Sequence, residues 1–300
     1  MELTFLGTSS ALPTKTRNHP AIALKWDGEI ILMDCGEGTQ RQISQAGLSP
    51  MKIKNIFISH LHGDHFLGLP GLIQSMAFRG RTEPLHVFGP WRMAQIMDYI
   101  KNLGYYSLNF PIYTHEVNDG LILDKEDYQV HCIMADHSIP NLAYRIAEKR
   151  RPKFLKDKAL ELGIHPGPDF GKLQAGQSVK IKDEVIEPEQ VLGDERKGRI
   201  IVYSGDTRPF NGMVKFAAGC DVLIHESTFD ESHRSRAVLT GHSTASDAAR
   251  IAREAQTKNL ILTHISTRFQ NTEQLEKESL EIFSNSSLAS DFMTYEVKRE

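Results

Sequence analysis

Three histidines and an aspartate directly follow a short apolar run at residues 56–58 (IFI), which is typical of the end of a buried strand. The four side chains are His60, His62, Asp64 and His65. Imidazole nitrogens and carboxylate oxygens are ligands that suit a zinc ion. A short loop at a strand end can direct all four to one point, whereas a helix would spread them around its axis. We therefore expect a fold built around a strand that delivers a metal-binding loop, in preference to a polar surface turn that happens to be rich in histidine.

The composition is that of a globular protein without a strong charge bias. The chain has 300 residues, 40% of them hydrophobic, which is enough for one large domain or two small ones. The formal net charge is only −3, so any surface for a nucleic acid has to be local. The three cysteines form no C-x-x-C pair, which favours a reducing compartment. We find neither a signal peptide nor an apolar stretch long enough for a membrane span, and we predict a cytoplasmic protein without a membrane partner.

The pattern of apolar residues predicts alternating strands and helices. In the first half, we expect strands at residues 2–6, 21–26, 29–34, 54–59, 85–88, 111–116 and 128–134, with helices near 37–46, 66–78 and 90–103. In the second half, we expect strands at 199–203, 221–224, 260–262 and 292–297, with helices at 244–256 and 272–283. The fold class that follows is α/β, a four-layer αβ/βα sandwich of two mixed β-sheets with helices outside, each half contributing one sheet.

A basic segment lies between the two halves, at about residues 147–178, and includes a short helical stretch near 155–162. Residues 145–182 contain ten Lys or Arg against four Asp or Glu, a local charge of +6, which leaves −9 for the remaining chain. Such a run is commonly a solvated surface excursion. It is equally the composition of an arm that binds phosphates, because basic residues gain affinity by releasing counterions. We describe the chain as a single domain over residues 1–300 with this segment inserted.

Three further potential ligands follow predicted strands, at His137, Asp206 and His264. A lone histidine at a strand end is more often structural than a ligand. Strand ends at one edge of a sheet sandwich, however, place their side chains in a common cleft. Seven ligands are too many for one tetrahedral zinc and fit two ions if one carboxylate bridges them. We assign His60, His62 and His137 to one ion, Asp64, His65 and His264 to the other, and Asp206 to the bridge.

The loop HLHGDH at residues 60–65 resembles the signature of the metallo-β-lactamase superfamily. Four other stretches give a narrower similarity to the ribonuclease Z family in its short form: PTKTRN at 13–18, ADH at 135–137, HEST at 225–228 and GHST at 241–244. The similarity runs from Met1 nearly to the end of the chain. Two departures are Ser227, where many relatives have alanine, and residues 238–241, which are less like the family.

The resemblance implies a metallo-β-lactamase fold and an endoribonuclease that removes the 3′ trailer from precursor tRNA, leaving a 3′-hydroxyl on the tRNA and a 5′-phosphate on the trailer. It implies two Zn²⁺ per subunit, although Mn²⁺, Fe²⁺ or Co²⁺ suit the same ligands. It gives Asp64 a part in proton handling, makes His242 the proton donor and Glu226 the carboxylate that orients it. Without the resemblance, His242 would be predicted to be an ordinary surface residue before a helix.

The resemblance also implies RNA contacts and a homodimer. The loop at 13–18 corresponds to one that senses nucleotides beyond the cut, and the basic segment corresponds to a tRNA-binding arm. The RNA contacts that we predict are Lys15, Arg17, Asn18, Arg150, Arg151, Lys153, Lys156, Lys158, Gly167 and Pro168.

Two other functions are compatible with parts of the sequence. The first is a hydrolase of the same fold that acts on small phosphodiesters, on thioesters or on lactams, against which the basic segment and the 13–18 loop argue. The second is a non-catalytic RNA-binding protein stabilised by metal, which is disfavoured because all seven potential ligands are present. The sequence leaves open which metal is used, which precursors are cut and whether CCA-bearing ends are spared.

Overall fold

A computed structural model describes residues 1–181, 184–194 and 196–299. The chain forms two compact units. The larger unit comprises Met1–Asp124, Val130–Ile146 and Arg199–Glu300, and the smaller comprises Lys125–Gln129 and Ala147–Gly198.

The described residues form sixteen strands. In chain order they are β1 (Glu2–Gly7), β2 (Ala21–Trp26), β3 (Glu29–Met33), β4 (Ile53–Phe57), β5 (Leu85–Gly89), β6 (Ile112–Glu116), β7 (Gly120–Asp124), β8 (Tyr128–Ala135), β9 (Asn141–Glu148), β10 (Val179–Ile181), β11 (Glu184–Ile186), β12 (Ile200–Tyr203), β13 (Val222–Glu226), β14 (Leu260–Thr263), β15 (Ser286–Leu288) and β16 (Thr294–Glu296). Two sheets have seven strands each, in the orders β16-β1-β2-β3-β4-β5-β6 and β15-β14-β13-β12-β9-β8-β7.

The same residues form ten α-helices. They are α1 (Thr39–Gln45), α2 (Gly63–Phe66), α3 (Leu69–Phe78), α4 (Met93–Lys101), α5 (Lys156–Glu161), α6 (Pro168–Gln174), α7 (Asn211–Phe216), α8 (Arg234–Thr240), α9 (Ala245–Glu254) and α10 (Glu273–Ile282). Apolar residues of α1, α3 and α4 form one core with the first sheet, and those of α7, α9 and α10 form another with the second. The predicted fold class, two mixed sheets flanked by helices, is confirmed.

The expectation that each half of the chain builds its own sheet is wrong. Strands β7, β8 and β9 come from the first 148 residues but join the second sheet, and β16, near the C-terminus, pairs with β1 in the first sheet. The pairing of Leu3 with Tyr295 covers the edge that β1 would otherwise expose. Apolar periodicity shows that a segment is a strand but does not show which strand pairs with it, so this exchange could not be predicted.

The local sequence explains several of these elements. Residues Asp27 and Gly28 join β2 to β3 with positive φ angles of 40° and 83°, as a tight hairpin turn of this type requires. The helix predicted at 66–78 corresponds to α3, which begins at Leu69, and Pro70 lies in its first turn, where the missing N–H does no harm. Strands β7, β9, β10, β11 and β15 and helices α6, α7 and α8 were not predicted.

Parallel strands bring their carboxyl ends to one edge of each sheet. Strands β3, β4 and β5 are mutually parallel in the first sheet, and β12, β13 and β14 in the second. Every residue of β13 and β14 is buried, as is usual for parallel strands covered on both faces. The loop after β3 packs closely against the backbone after β4. A Cβ atom at position 36 would lie only 2.2 Å from the Asp64 carbonyl oxygen. Glycine at position 36 therefore allows the two strand-end loops to approach.

The smaller unit has a hydrophobic core of its own. Buried apolar side chains of α5, α6 and the β10–β11 hairpin pack together, and the core includes Ala159, Ile164, Leu173, Val179, Ile186 and Val191. The unit thus continues beyond residue 178, where the basic segment was expected to end. In the described part of the chain, no helix combines the length and apolarity needed to cross a bilayer.

A capping box at the start of α9 provides a test of this local structure. The Asp247 N–H donates to Thr244 Oγ1 (3.1 Å), and the Thr244 N–H donates to Asp247 Oδ2 (3.2 Å). We expect Thr244→Ala to lower the free energy of unfolding by about 1–2 kcal/mol in urea denaturation. Thr272→Ala is the matched control, because Thr272 precedes α10 without a side-chain capping bond. Equal losses in the two variants would contradict the capping role.

Candidate metal centre and proton donor

The structure brings all seven predicted ligands together in the larger unit. The loop after β4 carries four of them, and the remaining three follow β8, β12 and β14. The first group consists of His60, His62 and His137. His62 Nδ1 lies 3.0 Å from His60 Nε2 and 3.3 Å from His137 Nε2, so the three rings present one nitrogen each to a common point.

The second group consists of Asp64, His65 and His264. The Nε2 atoms of His65 and His264 lie 3.4 Å apart, and Asp64 Oδ2 lies 3.4 Å from the first and 3.6 Å from the second. His264 has a positive φ of 60°, a conformation that is uncommon outside glycine and that often occurs at functional sites.

Asp206 lies between the two groups. Its Oδ2 is 3.3 Å from His264 Nε2, 3.4 Å from His65 Nε2 and 3.7 Å from His60 Nε2. Its Oδ1 is buried and has no hydrogen-bond partner among the described residues. A buried carboxylate oxygen without a donor is costly, unless a cation accounts for it.

The spacing of these atoms fits a metal such as zinc. A regular tetrahedron with zinc–nitrogen bonds of about 2.05 Å has edges of about 3.3 Å between ligand atoms. The nitrogen–nitrogen separations of 3.0, 3.3 and 3.4 Å in the two groups are close to that edge. The clusters could therefore hold divalent metal ions, and the carboxylate of Asp206 is placed to serve both groups.

Asp34, which the sequence analysis missed, orients one of the ligands. His65 Nδ1 is 2.7 Å from Asp34 Oδ2, so its N–H donates there and leaves Nε2 free for the cluster. The fully buried Asp34 also accepts hydrogen bonds from the Ser59 N–H (2.7 Å), the Ser59 hydroxyl (2.8 Å) and the Tyr203 hydroxyl (2.6 Å). Burial raises the pKa of Tyr203 well above its usual value, which keeps the hydroxyl protonated and donating.

Three other ligand histidines are oriented in the same way. His137 Nδ1 donates to the Gly241 carbonyl at 2.7 Å. His60 Nδ1 is 3.0 Å from Ser59 Oγ, which donates to Asp34 and therefore accepts from the ring. His264 Nδ1 is 2.8 Å from Thr228 Oγ1. In each case a bond at Nδ1 leaves Nε2 directed into the cluster.

The electrostatics favour ionised carboxylates. Burial alone would raise the pKa values of Asp64 and Asp206, but the surrounding histidines outweigh it and lower both. Burial, reinforced by repulsion from neighbouring histidines, lowers the pKa values of His60 and His62. These two rings are consequently neutral, as metal ligands must be. Burial also opposes protonation of His65, but attraction to Asp206 and Asp34 prevails and raises its pKa, so a metal ion bound at its Nε2 would displace a proton.

His242 and Glu226 form a hydrogen-bonded pair beside the cluster. His242 Nδ1 lies 2.9 Å from Glu226 Oε1 and 3.9 Å from Asp206 Oδ2. Burial by itself would lower the pKa of His242, but the Glu226 carboxylate outweighs it and raises the pKa to about 9. Glu226 is buried and also accepts from the Thr207 N–H (3.0 Å) and the Thr228 N–H (3.0 Å). The ring is therefore protonated at neutral pH and held in place.

A cavity of about 450 Å³ opens over the cluster. It reaches Asp64, Asp206, His242 and His264 at its floor, and its walls include Ser10, Ala11, Phe229, Arg236, Thr240 and Arg268. A charged, concave site of this kind can take a phosphodiester and supply it with both metal ligands and a proton donor.

The predicted RNA contacts of the 13–18 loop differ in their surroundings. Lys15 is exposed. The Arg17 guanidinium donates to Thr8 Oγ1 (2.7 Å) and to the Ala289 carbonyl (2.6 Å), and Asn18 Nδ2 donates to the Glu37 carbonyl (2.8 Å). Arg17 and Asn18 therefore hold the loop, and Lys15 is the side chain most available to a ligand.

The remaining predicted RNA contacts belong to the smaller unit. Lys153, Lys156 and Lys158 are exposed, as are Gly167 and Pro168 at the start of α6. Within that unit, Arg150 donates to the Lys197 carbonyl (3.3 Å) and Arg151 forms an ion pair with Glu126.

The residues that the sequence analysis missed are Asp34, Ser59, Tyr203, Thr207 and Thr228. Asp34 directly follows β3, and Thr228 lies two residues after the end of β13. Their position after strands, like that of the predicted ligands, was the feature of the sequence that could have indicated them. The acceptors and donors that they contact come from distant parts of the chain, which no local pattern indicates.

Two family models match parts of the chain. The model described as Anti-Pycsar protein Apyc1 matches residues 1–100, and the Beta-lactamase superfamily domain matches residues 190–265. Among solved structures, the short form of human tRNase Z is similar over 99% of this chain and 100% of that chain, with a TM-score of 0.74 and 29% identity. The Bacillus subtilis metallo-β-lactamase fold protein YhfI covers 98% of this chain and 99% of its own, with a TM-score of 0.72 and 18% identity, and supports the fold alone.

Curated relatives are similar over the full length. A ribonuclease Z from Methanothermobacter thermautotrophicus is 53% identical over 298 residues, which cover 99% of this chain and 97% of that protein. A ribonuclease Z from Methanosarcina acetivorans is 42% identical over 99% of this chain and 98% of its own. These similarities confirm the resemblance on which the sequence analysis drew. The chain belongs to the ribonuclease Z family of enzymes, within the metallo-β-lactamase superfamily.

Proposed function

We propose that this protein is a zinc-dependent endoribonuclease that removes the 3′ trailer from precursor tRNA, leaving a 3′-hydroxyl on the tRNA and a 5′-phosphate on the trailer. The observation that carries the proposal is the convergence of seven ligand atoms beside the hydrogen-bonded pair of His242 and Glu226, in a cavity of about 450 Å³. The names of the full-length relatives, ribonuclease Z, support RNA as the substrate.

Two metal ions would be held by the groups described above, with Asp206 shared between them. When bound, the ions activate a water molecule and neutralise charge on the phosphodiester. Zinc suits the histidine-rich ligand set, and Mn²⁺, Fe²⁺ or Co²⁺ suit the same ligands. Asp64, which lines the cavity, has a second part in this proposal, the share in proton handling that the family resemblance implies.

His242 gives the proton that the departing 3′ oxygen of the tRNA requires. The ring lines the cavity, is protonated because of Glu226, and stays oriented because Glu226 has three other hydrogen bonds. Proton donation to an alkoxide leaving group commonly accelerates such a step by 10²–10⁴-fold.

The smaller unit is the tRNA-binding arm in this proposal, inserted into a single catalytic domain. Its exposed lysines would bind backbone phosphates, which adds affinity without reading the sequence. Gly167 and Pro168 would contact RNA at the exposed turn before α6, and Arg150 and Arg151 would add charge nearby. Lys15, which is exposed, would contact the RNA from the 13–18 loop, which Arg17 and Asn18 hold in shape.

We also propose that the protein is a cytoplasmic homodimer. Large apolar side chains are exposed around α3 and α4, among them Phe78 (81%), Trp91 (70%) and Tyr99 (66%). Exposed apolar residues in such numbers commonly mark a protein interface. The three cysteines are free and buried, which suits a reducing compartment.

The first prediction concerns the metal ligands. We expect His65→Ala to lose bound metal and to abolish cleavage of precursor tRNA, since one ligand of the second group is removed. Asp34→Asn keeps all seven ligands but weakens the bond that orients His65, and we expect a 10- to 100-fold loss of metal affinity. Metal content by mass spectrometry and cleavage with and without chelator measure both effects. Full metal content and activity in His65→Ala would overturn the assignment.

The second prediction separates proton donation from metal binding. We expect His242→Ala to lower kcat about 10²–10⁴-fold while the metal content stays unchanged. A precursor with sulfur in place of the 3′ oxygen at the cut needs no proton donor, because a thiolate leaves readily. We expect that substrate to be cut at similar rates by His242→Ala and the parent protein. An equal deficit on both substrates would show that His242 has another role.

The third prediction concerns the basic arm. We expect Lys156→Ala with Lys158→Ala to weaken precursor binding and to reduce its salt dependence, because about two phosphate contacts are lost. Cleavage of a small chromogenic phosphodiester should be unaffected. Lys52→Ala with Lys54→Ala is the matched control. These exposed lysines lie at the start of β4, whereas the ligand loop follows its other end. Equal loss on both substrates in the arm variant would mean that the arm is structural. If the parent protein cleaves the small substrate but not the precursor, the result would favour a small-phosphodiester hydrolase.

A further inference from the structure

The catalytic cavity is lined by uncharged residues, among them Ser10, Ala11 and Gly63, and by two arginines, Arg236 and Arg268. Helix α8 contributes Arg236 and Thr240 to this lining. The backbone N–H of His242 donates to the Ala237 carbonyl at 2.9 Å, so α8 is fixed relative to the proposed proton donor.

Two arginines of α8 have different surroundings. Arg234 is fully engaged within the protein, donating to Glu231 (2.5 and 2.8 Å) and to Asp247 (2.8 Å). Arg236 is exposed, lines the cavity, and has no hydrogen bond or ion pair from its guanidinium among the described residues. A cation directed at a catalytic cavity without an internal partner is available to an anionic ligand.

Arg236 and Thr240 lie on the same face of the helix. They are four residues apart, and the Thr240 hydroxyl donates to the Arg236 carbonyl at 2.9 Å. The hydroxyl proton is used in that bond, so the donors for a phosphate on this face are those of the guanidinium, whose planar fork matches a phosphate. Arg236 and Thr240 together form one polar edge of the cavity lining.

The proton donor fixes the direction of the RNA in the cavity. If His242 protonates the departing 3′ oxygen, the nucleoside that bears this oxygen lies on the His242 side of the scissile phosphorus. The next phosphate toward the tRNA body, one nucleotide upstream, consequently passes α8.

We propose that Arg236 binds the phosphate on the 5′ side of the last nucleotide of the tRNA body and so positions the scissile bond. This inference rests on the proposed function, because it uses the direction of the substrate. Arg236 is a substrate-binding residue in this scheme and takes no part in proton transfer. Its contact strengthens binding of an RNA strand and is absent for a substrate with a single phosphate.

The test pairs a change in the protein with a change in the RNA. A precursor with an uncharged methylphosphonate at the upstream position is compared with unmodified precursor, using the parent protein and Arg236→Ala. We expect the methylphosphonate to lower kcat/KM of the parent protein by roughly 10- to 100-fold, as for the loss of one charge-assisted hydrogen bond. We expect it to have less than a twofold effect on Arg236→Ala, whose own kcat/KM on unmodified precursor is lower by a similar factor.

Two controls establish the specificity of the effect. Arg253→Ala removes an exposed arginine near the end of α9, roughly 12 Å along the helix from its start, and should leave cleavage unchanged. Hydrolysis of bis(p-nitrophenyl) phosphate, which lacks an upstream phosphate, should be the same in Arg236→Ala and the parent protein. Arg236→Lys should recover part of the loss, because it keeps the charge but not the fork.

Each other outcome overturns the inference. If the methylphosphonate slows Arg236→Ala as much as the parent protein, the two changes are independent and Arg236 does not bind that phosphate. If Arg236→Ala also loses hydrolysis of the small substrate, Arg236 acts through the fold of the catalytic centre. If the parent protein cuts precursor tRNA and Arg236→Ala cuts it equally well, this inference alone fails. If the parent protein does not cut precursor tRNA, the proposed function fails and the inference with it.

Discussion

The buried carboxylate of Asp34 holds together the parts on which the catalytic centre depends. It accepts hydrogen bonds from the Ser59 N–H and hydroxyl, from His65 Nδ1 and from the Tyr203 hydroxyl. These donors come from the loop after β4 and from β12, so one side chain connects the ends of strands in both sheets. A fully buried carboxylate is tolerated only when its oxygens are satisfied. Its cost is offset here by four donors, and the same bonds fix the ring that completes the second ligand group.

Thr228 links metal ligation to proton donation. Its hydroxyl donates to Glu226 Oε2 at 2.7 Å and accepts from His264 Nδ1 at 2.8 Å. Glu226 in turn orients His242. A displacement at either end of this series of hydrogen bonds would disturb both His264 and His242, because hydrogen-bonded networks of this kind respond as a unit. The position of the His242 ring relative to the predicted metal ligands is thus fixed by contacts inside the protein.

The two compact units contain different kinds of functional groups. The ligands and the His242–Glu226 pair belong to the larger unit, where burial and mutual hydrogen bonds set their protonation states. The exposed lysines of the smaller unit surround a small apolar core of its own. Exposed charges add long-range attraction that salt screens, whereas the buried groups act at short range and are screened little. In the proposed function, affinity for RNA and the chemistry of cleavage therefore respond differently to ionic strength.

The sequence by itself determined the kind of fold and indicated which side chains gather at one site. The strand before His60, the spacing of the ligand loop and the position of Asp206 and His264 after strands are local features, and local periodicity is enough to recognise them. Only the tertiary structure decided which strands pair, so that β7–β9 and β16 exchange between the expected sheets. It also revealed Asp34 and Thr228 as supports, the engagement of Arg17 inside the protein and the availability of Arg236 to a ligand. Each of these depends on contacts between residues distant in the chain, which are set by the packing of the sheets and leave no mark in any single segment.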